Sequence, residues 1–135
     1  MKYLLDTNAW IRYLNQPASP IGAKLALFSP ADIGLCSVVL GELYYGAHRS
    51  SRRAANLGII GLLAQQFISL PFDDAAAAMF GQVRAHLARL GTLIGPYDLQ
   101  IAAIALTHNL TLVTHNTNEF KRVPGLMIED WESTP

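Results

Sequence analysis

Three of the ten acidic residues stand where surface solubility explains them poorly. Asp6 directly follows Tyr3-Leu4-Leu5, Glu42 interrupts the nearly charge-free run Val38–Tyr45, and Asp98 opens the apolar run Tyr97–Leu106. A carboxylate among apolar residues is costly unless something pairs with it. Each has an ordinary reading as well. Asp6 can cap a following helix, and spacing alone does not choose between cap and site. Glu42 can belong to a solvated helix face. It shares that face with Gly46 and Arg49 at i+4 and i+7. Gly46 costs a helix about 1 kcal/mol relative to Ala, which points to a close approach there. Asp98 can answer the helix dipole, but Pro96 at the first helical position makes Gly95 the cap and leaves Asp98 free.

The chemistry such residues offer is metal-assisted. Carboxylates brought near one another stay ionised only with a cation or a shared proton. Asn116, Asn118 and Glu119 add oxygen donors from a fourth segment. An oxygen-rich, sulfur-free and histidine-poor set suits Mg²⁺ or Mn²⁺ rather than zinc. Such an ion activates water and stabilises charge on a phosphoryl oxygen. The remaining acids read as structural. Asp73 and Asp74 suit a helix start, Asp32 a turn, and Glu129, Asp130 and Glu132 a polar tail around Trp131.

The elements that must position these groups follow from the pattern of apolar runs. Short strands are predicted at Lys2–Leu5, Ile33–Cys36, Phe67–Leu70, Leu110–Thr114 and Leu126–Ile128. Helices are predicted between them. One follows Asp6 and carries Trp10, Ile11 and Leu14; one runs from Ser19-Pro20 to Phe28. A third is capped by Ser37 and reaches Arg49, and a fourth restarts at Ser50-Ser51. A fifth runs from Asp73 to a left-handed Gly91, and a sixth from Tyr97 to His108 with Asn109 as its stop. Residues 116–121 read as a loop with one helical turn. Strands alternating with helices predict a three-layer α/β/α domain with a mainly parallel, short-stranded sheet. The three acids are expected just after, or one helical turn beyond, the carboxyl ends of strands, the edge where ligands bind such sheets.

Composition sets the limits. The 135 residues fit a single domain, 1–135. Hydrophobic residues make up 51% and charged residues 15%, which excludes a disordered chain and leaves an apolar surplus that hints at a covered partner surface. The lone Cys36 excludes an intrachain disulfide or thiolate metal site, and His48, His86, His108 and His115 show no metal spacing. His115 reads as a solvated loop residue. The opening reaches Asp6 after only two leucines, unlike a signal peptide, and no run is long enough to cross a bilayer, so a cytoplasmic, non-membrane protein is expected. Ten basic residues balance ten acidic ones, against a general nucleic-acid binder. Setting aside Asp6, Glu42, Asp98 and Glu119 leaves ten basic against six acidic, so an acidic pocket is averaged with a basic surround.

Leu4-Leu5-Asp6-Thr7-Asn8, Gly41–Ala47, Gly95–Ala102 and Val113–Phe120, with the closing Arg122–Leu126 and Asp130-Trp131, resemble in order the PIN-domain ribonucleases. Within them the similarity is to VapC toxins of bacterial type II toxin–antitoxin pairs. It implies a Mg²⁺- or Mn²⁺-dependent endoribonuclease that cuts tRNA or another structured RNA and inhibits translation. Asp6, Glu42 and Asp98 become the metal-binding acids, with Glu42 either a ligand or the group orienting the attacking water. Thr7, Asn8 and Thr114 support them by hydrogen bonds. Relatives carry a fourth carboxylate where this chain has Asn116, with Glu119 one turn later as an alternative donor. The resemblance also implies a homodimer silenced by a cognate VapB-type antitoxin. Arg49, Arg52, Arg53, Arg84, Arg89, Lys121 and Arg122 are candidates for RNA phosphate contact, although a solvated surface charge is the commoner role for any one of them.

Two rivals remain. An inactive PIN-like binding module would bind no metal through these acids. An aspartate-based phosphatase would use Asp6 as nucleophile, but Asn8 stands where such enzymes carry a second Asp, and no lysine partner is evident.

Overall fold

A computed structural model of the chain describes residues 1–132. The sheet is built from β1 (Tyr3–Leu5), β2 (Ile33–Cys36), β3 (Ile68–Leu70), β4 (Thr111–Val113) and β5 (Ile128–Glu129), in the order β3-β2-β1-β4-β5 with every pair parallel. Two to four residues per strand suffice because β1, β2 and β4 are buried almost throughout. The helices are α1 (Thr7–Asn15), α2 (Pro20–Leu25), α3 (Ser37–Arg49), α4 (Arg53–Gln66), α5 (Asp74–Leu90), α6 (Pro96–Thr107) and the single turn α7 (Thr117–Phe120).

The chain leaves β1 in one direction through β2 to β3 and in the other through β4 to β5. Right-handed crossovers therefore put α1–α4 on one face and α5–α6 on the other. The helix contacts agree: α1, α3 and α4 pack among themselves and α5 packs on α6. The order reverses between β1 and β4, and a crevice opens at such a switch point outside the carboxyl ends of the strands.

Most predicted elements are present within a residue or two. Asp73 caps α5 through the Ala76 amide, and Gly91 ends it with φ 68°. Asn109, at φ 54°, stops α6 in the left-handed region. Four boundaries differ. α2 ends at Leu25, because the chain from Ala26 to Phe28 tightens into turns bonded to Gly22, Lys24 and Leu25. Ser19 makes no cap bond, and Ser37 lies inside α3, whose cap position is Cys36. α4 starts at Arg53, since the Ser50 hydroxyl is spent on the Arg52 amide and the Asn56 side chain. The last strand is Ile128–Glu129, set by its register against Leu112 and Val113.

Trp131 does not sit in a loose tail. It is buried, stacked on Phe28 at 5.7 Å and edge-on to Tyr3 at 4.9 Å. Cys36 is buried in the core, and burial pushes its thiol up to about 11, so it is inert packing. Among the described residues, no helix is long and apolar enough to cross a membrane.

Candidate active site

Asp6 ends β1 and caps α1 at once. Its Oδ1 accepts the Ala9 amide at 2.9 Å and its Oδ2 accepts the Thr114 hydroxyl, at the end of β4, at 2.6 Å. One buried carboxylate thus makes the cap bond and also joins the ends of β1 and β4. Burial raises its pKa, while the Thr114 and Ala9 bonds pull it back.

Glu42 projects from the second turn of α3. Thr7, the first residue of α1, donates its hydroxyl to Glu42 Oε1 at 2.6 Å. This ties the helix after β1 to the helix after β2. No other part of the chain lies within 4 Å of a Cβ placed at Gly46, so the expected close approach is not made internally. Gly46 instead floors an open groove with Ile11, Leu14, Leu43 and Ile59, bordered by Glu42.

Asp98 reaches the same edge by another route than expected. No strand precedes α6; it follows α5 and the 91–95 loop. What fixes its start is Glu119 in α7, whose Oε1 accepts the Gly95 amide at 2.9 Å and whose Oε2 accepts Asn116 Nδ2 at 2.7 Å. The backbone N–H of Asn116 in turn donates to Thr114 Oγ1 at 2.9 Å. Asp98 is pushed up to about 7, first by burial at the head of the apolar α6 and then by the negative charge of Glu119, Asp6 and Glu42, with a bond to Glu119 adding to the rise. Glu119 is held below the usual range, chiefly by the Gly95 N–H.

The structure therefore gathers Asp6, Glu42, Asp98, Glu119 and Asn116, with Thr7 and Thr114 as hydrogen-bonding supports. Asn8 is exposed and lines a cleft with Thr7 and Glu42, making no side-chain hydrogen bond among the described residues. No Lys or Arg among the described residues hydrogen-bonds to any of the four carboxylates. Arg122 acts on Glu119 only electrostatically. Mutually repelling oxygens without a basic partner are a donor set suited to a hard divalent cation.

The basic candidates divide. Arg122 donates to the Leu93 carbonyl beside the α6 head, and Arg49 lies over the Tyr45 ring next to Glu42. Arg53 donates to the His48 carbonyl, while Arg52 and Lys121 are exposed. On α5, Arg84 lies over Phe80 and Arg89 lines a separate pocket with His86.

One grouping escaped the sequence. His115, Asp130 and Glu132 bring ligand atoms within 4.8 Å of one another beside the main cluster. His115 Nδ1 pairs with Asp130 at 3.0 Å and Glu132 pairs with Arg12 at 3.0 Å. Only the pairing of β5 with β4 brings the tail to the residue after Thr114, so no local spacing could have signalled it.

An all-parallel sheet with carboxylates massed at its switch point is the layout of an α/β protein built to hold a divalent cation, and comparison with known proteins gives the family. The PIN-domain model matches residues 3–126. The chain is 42% identical to the tRNA(fMet)-specific endonuclease VapC of Shigella flexneri over 97% of this chain and 98% of that protein. It is 39% identical to the VapC of the same description from Salmonella typhimurium, again over 97% and 98%. The DNA-bound VapBC structure from Salmonella typhimurium superposes with a TM-score of 0.92, at 39% identity over 97% of this chain and 98% of that one. The chain belongs to the PIN-domain family, in its branch of VapC ribonucleases from toxin–antitoxin systems.

Proposed function

We propose that this VapC ribonuclease, a single domain over 1–135, depends on Mg²⁺ or Mn²⁺ held by Asp6 and Asp98, with Glu42, Glu119 and Asn116 completing the centre. The observation that carries this reading is the gathering of Asp6, Glu42, Asp98 and Glu119 at one sheet edge, where burial first and then the neighbouring carboxylates push Asp98 up to about 7. Among the described residues no Lys or Arg hydrogen-bonds to these carboxylates, and a bound cation removes the conflict. When bound, the ion supplies charge neutralisation at the phosphate and lowers the pKa of water.

The chain's own residues do the rest. Thr114 and the Ala9 amide fix both oxygens of Asp6, so its carboxylate cannot rotate away. Thr7 occupies Glu42 Oε1 and leaves Oε2 to orient the attacking water for in-line displacement at phosphorus. Glu119 anchors the head of α6 and with it Asp98. Arg49 and Arg122 supply positive charge near the cleft.

The Shigella and Salmonella relatives are described as tRNA(fMet)-specific, and tRNA is the substrate we assign here, in the cytoplasm. A VapB-type antitoxin is the partner, as in the VapBC complexes. The groove of about 240 Å³ floored by Gly46, beside the exposed Ile59 and Leu62, gives such a partner an apolar seat that ends at Glu42. A homodimer completes the assembly, and Leu90, Leu93 and Ile68 are among the apolar side chains left exposed on the single chain. The test is RNA cleavage with and without Mn²⁺ by wild type and Asp98→Asn. Cleavage only by the wild type with Mn²⁺ supports the reading, and equal cleavage by both overturns it.

A further inference from the structure

The cleft beside Glu42 has a volume of about 720 Å³ and is walled by two tyrosines from different helices, Tyr45 of α3 and Tyr97 of α6. Tyr45 is 63% exposed and Tyr97 59% exposed. Neither ring stacks on another aromatic side chain among the described residues, whereas Trp10, Trp131, Tyr3 and Phe28 all do. Each tyrosine is also one to three residues from a carboxylate of the centre: Tyr97 precedes Asp98, and Tyr45 follows Glu42 by one helical turn. Large planar side chains left in water in one cleft bordered by Glu42 are shaped for planar ligands, not for core packing.

Charge favours the same occupant. Arg49 lies 5.3 Å above the Tyr45 ring and donates to its hydroxyl at 3.4 Å. Arg49 forms no ion pair with a carboxylate among the described residues, so its charge faces whatever lies against Tyr45. Aromatic rings interleaved with unpaired arginine are how proteins grip unpaired nucleotides, the ring taking the base and the cation the phosphate. Gln100 lines the cleft one turn of α6 beyond Tyr97 and offers an amide to a base edge.

Resting on the nuclease reading above, we propose that Tyr45 and Tyr97 are specificity-determining residues that stack unpaired bases flanking the scissile phosphate. Paired bases cannot enter, because their faces are already covered by neighbours in the helix. The rings thus select unpaired RNA segments, and the carboxylates cut between the bases they hold.

The experiment uses the full chain in EDTA, where no strand is cut, and a short unpaired oligoribonucleotide carrying 2-aminopurine. Saturable quenching of the probe is expected with wild type, and not with the same strand annealed to its complement. Tyr45→Leu and Tyr97→Leu weaken binding roughly tenfold each, the size of one lost base stack. Tyr45→Phe and Tyr97→Phe keep binding near wild type, since the ring and not the hydroxyl carries the effect. Both positions are exposed, and unchanged melting curves confirm that the four variants fold. Wild-type binding by the Leu variants, or equal losses in Phe and Leu variants, overturns the proposal. So does a result in which the Leu variants lose only antitoxin affinity. A wild type that binds in this ring-dependent way but never cuts RNA with Mn²⁺ instead overturns the nuclease reading and leaves the stacking role supported.

Discussion

The Thr114 hydroxyl donates to Asp6 Oδ2 at 2.6 Å across 108 residues of sequence. Both residues are buried, and they sit at the ends of the two strands between which the sheet order reverses. One hydrogen bond therefore closes the crevice floor and orients the carboxylate nearest the centre of the sheet.

Thr114→Val keeps the shape and removes that donor. Asp6 is then buried with one partner fewer and its pKa rises further. The expected loss is about 1–3 kcal/mol of stability and roughly 10- to 100-fold in Mn²⁺ affinity, read by thermal unfolding and by titration calorimetry. Thr114→Ser restores both. A Val variant that binds Mn²⁺ like wild type shows the bond to be incidental.

Asp98 makes metal-free stability depend on pH. Its folded-state pKa, about 7, lies above the ordinary 3.8, so its favourable contribution is whole below about 3.8 and is lost as pH rises through about 7. Asp6, also raised, acts in the same direction. In EDTA the melting temperature falls between mildly acidic pH and pH 8. Asp98→Asn melts a few degrees above wild type at pH 8 and level with it near pH 4. Saturating Mn²⁺ flattens the wild-type curve. A pH-independent difference between the two proteins contradicts this assignment.

Glu119→Ala separates anchoring from ligation. Both Glu119 oxygens are engaged, by the Gly95 amide and by Asn116. Removing them takes a negative charge away from beside Asp98, so its transition moves to lower pH in the same melting series. Cleavage falls roughly tenfold, within the range for groups that orient a ligand. A loss as complete as that of Asp98→Asn makes Glu119 an indispensable ligand.

Gly22→Ala tests the fold far from the site. A Cβ there overlaps the Pro17 carbonyl oxygen and comes within 2.7 Å of the Pro17 carbonyl carbon, both rigid backbone atoms. The expected cost is roughly 3 kcal/mol, read as a fall in denaturant midpoint with Mn²⁺ affinity of the folded fraction unchanged.

Much of this was legible in the residues. Strands such as Ile33–Cys36 are short, wholly buried apolar runs, and burial writes itself directly into residue type. Asp98 stood out because a charge at the head of an all-apolar helix has few explanations. What spacing could not reveal were contacts closed only by topology. The bond from Gly95 to Glu119 spans 24 residues and joins the head of α6 to α7. His115 meets Asp130 because β5 pairs beside β4. Helix starts at Ser37 and Ser50 misled for a local reason: a serine hydroxyl has several backbone partners within reach, and sequence does not say which it takes.

The sheet's outward growth from β1 has a consequence for a growing polypeptide. The first strand to leave the ribosome carries Asp6, but the hydroxyl that orients it arrives with Thr114 and the anchor of Asp98 with Glu119. Through most of its synthesis the chain carries the acids of a nuclease without their assembled geometry. A chain that ends before β4 lacks both restraints, so the acidic edge takes its assembled geometry only in the last stretch of decoding.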